Sequence, residues 1–381
     1  MSTTVDPGLH KEIGCFGCDD ITQCINCGNC TAVCSLSGED AVFPRKTIRY
    51  AQLGIKDRLM ESVEPWLCYY CGECSETCPR QANPGEIMMT LRRWLTAQYD
   101  WTGLSKKLYL SKTWEVFALA ALAAFVVALF VFFHGPMVTD RVELNTFAPV
   151  VWVEIGDWVM ALLLSSFLFT NVLRMHRYVM GSWLPSRIPF SIYLRELKTL
   201  VLHAMTQKRW KDCDNLSRWI KHLLLVTGYV TMLLLIVVFL RWFQTDGSQW
   251  RPIDLLGYYA TGVLMFVTGE MIVSRLRRRE EIHKHSHSTD WIFLVLLFLT
   301  ALTGILVHGL RLAGLPLPTY YMYVLHLAIA VPMLVIEVPF GKWSHLAYRP
   351  LAIYLTNVKK QFEHSSQTAN AAMPTVASPN Y

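Results

Sequence analysis

The chain has 381 residues, of which 53% are hydrophobic and only 17% charged, with a formal net charge of +6. That balance is too apolar for an ordinary soluble domain and argues for membrane embedding. The basic excess lies beside apolar segments and not in a patch of its own, so it reads as membrane topology and argues against a nucleic-acid partner.

Residues 1–14 read as a loose polar tail. Met1–Lys11 has no apolar core of the kind that opens a secretory signal, so the N terminus is expected in the cytoplasm. All cysteines except Cys213 fall between Cys15 and Cys78. Thiols stay reduced in the cytoplasm, and such a dense group there points to metal binding, not to disulfides. The expected units are a cysteine-rich helical domain over 1–105, a membrane domain over 106–360 and a disordered tail over 361–381. Helix-forming composition marks Thr47–Ser62 within the first.

Two quartets share the spacing C-x2-C-x2-C-x3-C: Cys24, Cys27, Cys30 and Cys34, then Cys68, Cys71, Cys74 and Cys78, with Pro79 completing the second and Ser35 standing in the equivalent place of the first. Three closely spaced thiolates reach three corners of one [4Fe–4S] cubane, while the fourth points away and ligates the other cluster. One cluster is therefore expected on Cys24, Cys27, Cys30 and Cys78, the other on Cys68, Cys71, Cys74 and Cys34. Zinc also uses paired cysteines, but its pairs are separated by longer loops. Cys15 and Cys18 form a lone C-x2-C with no second pair nearby and read as spare thiols, as does Cys213.

From Trp114 onward, apolar runs are long enough to cross a bilayer. Six are expected, near Trp114–Phe133, Pro149–Leu173, Trp219–Phe243, Leu255–Ile272, Trp291–Leu310 and Tyr320–Phe340. Basic residues crowd the connections at 174–218 (Arg174, Arg177, Arg187, Arg195, Lys198, Lys208, Arg209, Lys211, Arg218) and 275–284 (Arg275, Arg277, Arg278, Arg279, Lys284). The short connections at 134–148, 244–254 and 311–318 carry only Arg141, Arg251 and Arg311. The positive-inside rule puts the first set in the cytoplasm and the second outside, with both termini and the cysteine domain inside an inner, cytoplasmic membrane.

Histidines in the spans are candidates for b-type haem, whose iron takes axial nitrogen ligands from facing helices. His222 and His345 share the inner depth; His308 and His326 share the outer one. His326 and His345 would lie roughly 28 Å apart along a continuous helix, which suits two stacked haems. Met232 rivals His308 as a ligand. Acidic residues in or at the edges of spans, Glu154, Asp157, Glu270 and Glu337, are costly there and serve either proton transfer to a quinone or buried hydrogen bonding.

The quartets resemble those of the HdrC iron–sulfur component of heterodisulfide reductase. The spans that follow resemble its membrane component, HdrE, and the gamma subunit of respiratory nitrate reductase. The fusion of the two resembles the QmoC family, membrane subunits of the quinone-interacting oxidoreductases of sulfate reducers. The carrying stretches are both quartets, Arg218–Gly228 around His222, and Tyr320–Pro350 with His326, Pro339-Phe340-Gly341-Lys342 and His345. The resemblance implies an all-α fold, a two-cluster ferredoxin-like domain followed by a six-helix cytochrome b-type bundle. It further implies haem b, menaquinone as the lipid-soluble substrate, soluble flavin and iron–sulfur partners of the QmoA and QmoB kind, and adenylylsulfate reductase downstream. The nitrate reductase pattern places paired ligands on His222, His326 and His345 and lets the remaining one fall on Met232. Two rival functions are an electron-transfer component of heterodisulfide reductase type and a membrane anchor with structural or sensory clusters.

Overall fold

The computed structural model describes residues 4–18, 20–38, 41–181, 184–212 and 216–371, and among them the only non-helical pairing is an isolated bridge between Gly38 and Ala41. The N-terminal part consists of α1 (Leu9–Gly14), α2 (Asn29–Ala32), α3 (Arg45–Gln52), α4 (Lys56–Glu61), α5 (Glu64–Leu67), α6 (Glu73–Glu76), α7 (Pro84–Tyr99) and α8 (Leu104–Leu110). The stretch expected to be helical between Thr47 and Ser62 forms α3 and α4 with a turn between them. Helix α3 buries Thr47, Ile48 and Ala51, neighbours on one helical face.

The remaining helices are α9 (Lys112–Phe133), α10 (Leu144–Phe147), α11 (Val150–Met180), α12 (Leu184–Arg187), α13 (Phe190–Thr206), α14 (Leu216–Val237), α15 (Leu240–Phe243), α16 (Asp254–Leu276), α17 (Ser288–Leu312), α18 (Pro316–Glu337) and α19 (His345–Ala371). Six of them, α9, α11, α14, α16, α17 and α18, are long and apolar enough to cross a membrane. In space α14, α16, α17, α18 and α9 follow one another as packed neighbours, and α11 leans on α14 and α19.

Several boundaries differ from those expected. The third span stops at Val237 and the chain bends before α15. The second span continues to Met180, and much of the basic connection after it is helix α13. His326 and His345 do not share a continuous helix, because α18 ends at Glu337 and a 3-10 turn at Lys342–Ser344 precedes α19. The tail expected to be disordered from 361 begins as the last turns of α19, which reaches Ala371.

One core joins the two halves. Leu9, Ile13, Phe43, Ile48, Trp66, Leu91 and Trp94 of the cysteine domain pack in the same cluster as Met175 and Val179 of α11, Ile192 of α13, and Tyr348, Ala352, Leu355 and Val358 of α19. All these membrane-domain segments lie at one end of the bundle. The short connections gather at the other end, where Tyr320 accepts from Glu143 N (2.9 Å) and donates to Val138 O (3.0 Å), Gly247 N donates to Val142 O (2.8 Å), and Arg311 donates to Gly247 O (3.0 Å). The connections of the bundle are thus sorted between two ends.

A charged seam crosses the junction. Asp290, at the start of α17, accepts from Lys342 Nζ (2.5 Å) and lies 3.8 Å from Arg93 of α7, which also pairs with Glu86 at 2.5 Å. Arg93 further donates to Phe16 O (2.6 Å), and Tyr70 donates to Glu86 (2.6 Å). Such a network is tolerated only while each charge keeps its partner, and removing one costs about 3–5 kcal/mol. Of the acids in the spans, Glu154 pairs with Arg241 (2.6 Å), Glu270 with Lys221 (3.0 Å), and Glu337 accepts from Lys342 N (2.8 Å). Each of these three has a partner, Glu154 and Glu270 in ion pairs and Glu337 at a backbone amide, while Asp157 Oδ2 is buried without one. Asp290→Asn is expected to lower stability by about 3 kcal/mol, read as an earlier thermal transition of the detergent-solubilised chain. A transition at the wild-type temperature would show that the seam does not hold the halves together.

Candidate metal centres

The two quartets fold into the same loop twice. Each begins with a cysteine, passes a left-handed residue two positions on (Asn26, φ 58°; Tyr70, φ 56°), then a glycine after the second cysteine (Gly28, φ 94°; Gly72, φ 100°), and enters a one-turn helix that carries the third cysteine. A side chain at either glycine would be strained at that φ. The left-handed residues turn their amides back onto the first sulfur, with Asn26 N donating to Cys24 Sγ (3.4 Å) and Tyr70 N to Cys68 Sγ (3.3 Å). Ala82 N likewise donates to Cys78 Sγ at 3.4 Å. Amide donors of this kind are what tune sulfur-ligated iron.

The loops exchange their fourth cysteines. Cys24, Cys27, Cys30 and Cys78 line one pocket, together with Ile25, Gly28, Arg45 and Arg80. Asn29 Nδ2 donates to Thr77 O (2.7 Å), tying the first loop to the end of the second quartet. Cys34 stands with the other group: burial pushes its thiol up to about 11, and the neighbouring Cys68 and Cys71 add to the effect. Burial also raises Cys74, and Cys68 and Cys71 add to the effect. Among the described residues no three His, Cys, Asp or Glu side chains converge at single-ion distance. The thiols of the first group ring a space, the arrangement a cubane requires.

The two groups differ in exposure, although Cys30 of the first is buried as well. Cys27 is exposed and Ile25 is 63% exposed, so the first opens to solvent. In the second, Cys68 and Cys74 are buried, and its loop is held by arginines. Arg92 donates to Cys68 O and to Pro65 O (2.5 Å), Arg349 to Cys68 O (3.1 Å) and Trp66 O (3.0 Å), and Arg218 to Cys71 O (3.2 Å). Arg349 and Arg218 come from the membrane half. Sequence reasoning missed this grip, since nothing local in the sequence links Arg349 to Cys68.

Of the four histidines, two meet at the same end. His345 donates Nδ1–H to Lys342 O (2.5 Å), which leaves Nε2 open, and His222 has its Nδ1 buried without a partner. Burial, then the charge of Arg349, holds His345 well below the ordinary histidine range, and His222 is close enough to contribute. Neutral imidazoles with one free nitrogen fit axial ligation. His326 bonds Thr303 Oγ1 through Nδ1 (3.0 Å) and rests beside Gly304, leaving Nε2 open. His308 does not fit: Nε2 meets Tyr258 OH (2.7 Å) and Nδ1 faces Arg311 (3.3 Å), so both nitrogens are engaged. Its outer-depth partnership with His326 is not formed in this structure, because polar groups unseen in the hydrophobic pattern capture the ring.

Two rings connect the second cysteine loop to the inner histidines. Tyr69 lies 4.8 Å from Trp210, and Trp210 lies 4.4 Å from His222. The Arg349 guanidinium covers Tyr69 at 4.6 Å, and His203 Nε2 reaches Tyr69 OH at 3.5 Å. Burial, then the charges of Arg349 and Arg209, pulls His203 down to about 4, so it is neutral at physiological pH.

Cys15 and Cys18 stand apart from both groups. Cys18 Sγ donates to Asp20 (3.1 Å), and Cys15 is exposed; Cys213 lies outside the described residues.

Residues 20–82 match the 4Fe-4S dicluster domain family, which supports two [4Fe–4S] clusters in this stretch. Over 98 residues the chain is 33% identical to an HdrC-like heterodisulfide reductase protein of Archaeoglobus profundus, covering 26% of this chain and 52% of that protein. It is 30% identical over 88 residues to the HdrC component of the H(2):CoB-CoM heterodisulfide,ferredoxin reductase of Methanothermobacter thermautotrophicus (23% and 48%). It is 41% identical over 92 residues to the corresponding component, the second of its kind, of the H(2)/formate:CoB-CoM heterodisulfide,ferredoxin reductase of Methanococcus maripaludis (24% and 46%). The chain thus spans about half the length of the curated relatives it matches. No solved structure matches it.

Burial pushes the Cys18 thiol up to about 12, and the reactive species is the thiolate. At a mildly alkaline pH, iodoacetamide should therefore modify Cys15 and spare Cys18, as read by peptide mass spectrometry. Equal labelling of the two would show that Cys18 is not buried against Asp20.

Proposed function

We propose that this chain is the membrane electron-transfer subunit of an oxidoreductase complex, working between a lipid-soluble quinol and cytoplasmic redox partners. The observation that carries the reading is the series arrangement of its parts: inner histidines, two aromatic rings, a buried cysteine group and a solvent-facing cysteine group. Cys24, Cys27, Cys30 and Cys78 would hold one [4Fe–4S] cluster, Cys68, Cys71, Cys74 and Cys34 the other, and His222 with His345 an inner haem b. His326 would serve a second haem, with its other ligand open between Met232 and water. These groups supply one-electron redox chemistry when bound.

The chain's own residues set the conditions for that chemistry. Arg92, Arg218 and Arg349 bring positive charge to the buried group, which favours the reduced, more negative form of any cluster there. The solvent-facing group, beside Ile25, Arg45 and Arg80, is the side a soluble partner can reach.

The resemblance of the whole fusion favours menaquinol as the donor, QmoA- and QmoB-like flavin/iron–sulfur subunits as partners, and adenylylsulfate reductase at the end of sulfate respiration. The similarity to the HdrC components of heterodisulfide reductases favours a second reading, in which the same relay delivers electrons to a heterodisulfide site on another polypeptide. The two differ in destination and share every residue role above.

Two measurements test the proposal. Cys78→Ser should perturb the same cluster electron paramagnetic resonance signal as Cys24→Ser, and Cys34→Ser the same signal as Cys68→Ser. Pairing of Cys34→Ser with Cys24→Ser instead would overturn the exchanged ligation. Addition of a menaquinol analogue to the purified chain should raise sharp b-type bands, and His222→Ala or His345→Ala should remove the same subset of them. An optical spectrum showing cluster absorbance alone, unmoved by quinol, would overturn the haem and quinol assignments and favour the anchor.

A further inference from the structure

Helix α13 lies between two spans, is too polar to be one, and is too apolar on one side for water. Its inward face carries Ile192, Glu196 and His203, all buried, and Tyr354 of α19 donates to Tyr193 O at 2.9 Å. Its outward face presents Phe190, Leu194, Leu197, Val201 and Met205, which are 73%, 53%, 44%, 55% and 71% exposed. Their spacing of four, three, four and four residues places them on one stripe of the helix. Arg195 and Lys198, both exposed, border it. A continuous apolar stripe of this kind marks an interaction surface.

What covers the stripe follows from where the helix sits. It begins shortly after α11 leaves the bundle and ends shortly before α14 enters it, at the end of the bundle that carries the cysteine domain. Trp219, in the first turn of α14, donates its indole N–H to Thr206 O at the end of α13 (3.0 Å), which fixes the helix at the level where α14 begins. Leu216 and Ile220 of that turn are 53% and 45% exposed, so the apolar surface of α14 starts where that of α13 ends.

We propose that α13 lies in the plane of the membrane surface, its stripe seated at the acyl boundary of the leaflet on the cysteine-domain side, with Arg195 and Lys198 on anionic lipid headgroups. An apolar face with flanking basic residues is the signature of an interfacial helix, and long basic side chains reach from an apolar bed to the headgroups. The placement has a structural consequence, because His203 on the opposite face of the same helix reaches Tyr69 at 3.5 Å. The lipid surface thereby supports the wall of the second cysteine loop. The proposal rests on the bundle spanning a membrane and is independent of which cofactors the chain holds.

The test uses the full chain in nanodiscs of equimolar phosphatidylcholine and phosphatidylglycerol. The photoreactive p-benzoylphenylalanine is placed at Val201 on the stripe and, as a control, at the exposed Glu76 of the cysteine domain. Irradiation should give lipid adducts at position 201 and none at 76, with the anionic lipid over-represented. Combining Arg195→Gln with Lys198→Gln should lower the ratio of anionic to neutral adducts by about fivefold for each charge removed. Adducts between position 201 and another polypeptide, a second copy of this chain included, would overturn the proposal, as would an absence of lipid adducts. A ratio unmoved by the double substitution would overturn the headgroup contact.

Discussion

The Arg349 guanidinium is the contact on which the junction of the two halves depends. It is buried, donates to the backbone of Trp66 and Cys68, and sits over the Tyr69 ring. A charge out of water is costly unless its donors are satisfied. Here backbone carbonyls and an aromatic face contribute to that. Because Arg349 follows His345 by one turn of α19, fixing it also fixes the histidine against the cysteine loop. Arg92 reaches the same Cys68 carbonyl. Two like charges meeting at one carbonyl repel, and the arrangement makes sense beside the negative charge of a thiolate-ligated cluster.

Helix α19 consequently belongs to both halves. A boundary at residue 105 describes the chain by composition, but the folded core runs from Leu9 to Val358. Composition reports what each segment is made of and is silent on what it packs against, which is why a C-terminal segment of mixed polarity gave no hint that it completes the cysteine domain.

What could be read from the sequence was local. Cysteine spacing is a property of a few consecutive residues, and it was enough to point to a two-cluster domain. Span length and loop charge were equally readable, because bilayer thickness imposes the one and retention of basic residues the other. Three features escaped. Helix α13 was hidden because Arg195 and Lys198 place it within a basic inner loop. The engagement of His308 by Tyr258 and Arg311 depends on rotation of helices about their axes, which apolar runs do not encode. The Tyr69, Trp210 and Arg349 cluster brings together three distant parts of the chain with no periodic signal.

The repeated cysteine loops carry a further consequence. Two units with the same backbone turns differ at the residue after their first cysteine: Ile25 points to water, Tyr69 into the bundle. Symmetric folding has thus been given an asymmetric exterior. On the proposed function, a soluble protein approaching from the cytoplasm touches only the outward unit, while the inward one is insulated by Tyr69, Trp210 and the arginines around it. On that reading the relay has its more open terminal towards the partner and its more covered one towards the bundle, which limits where a stray acceptor could draw charge.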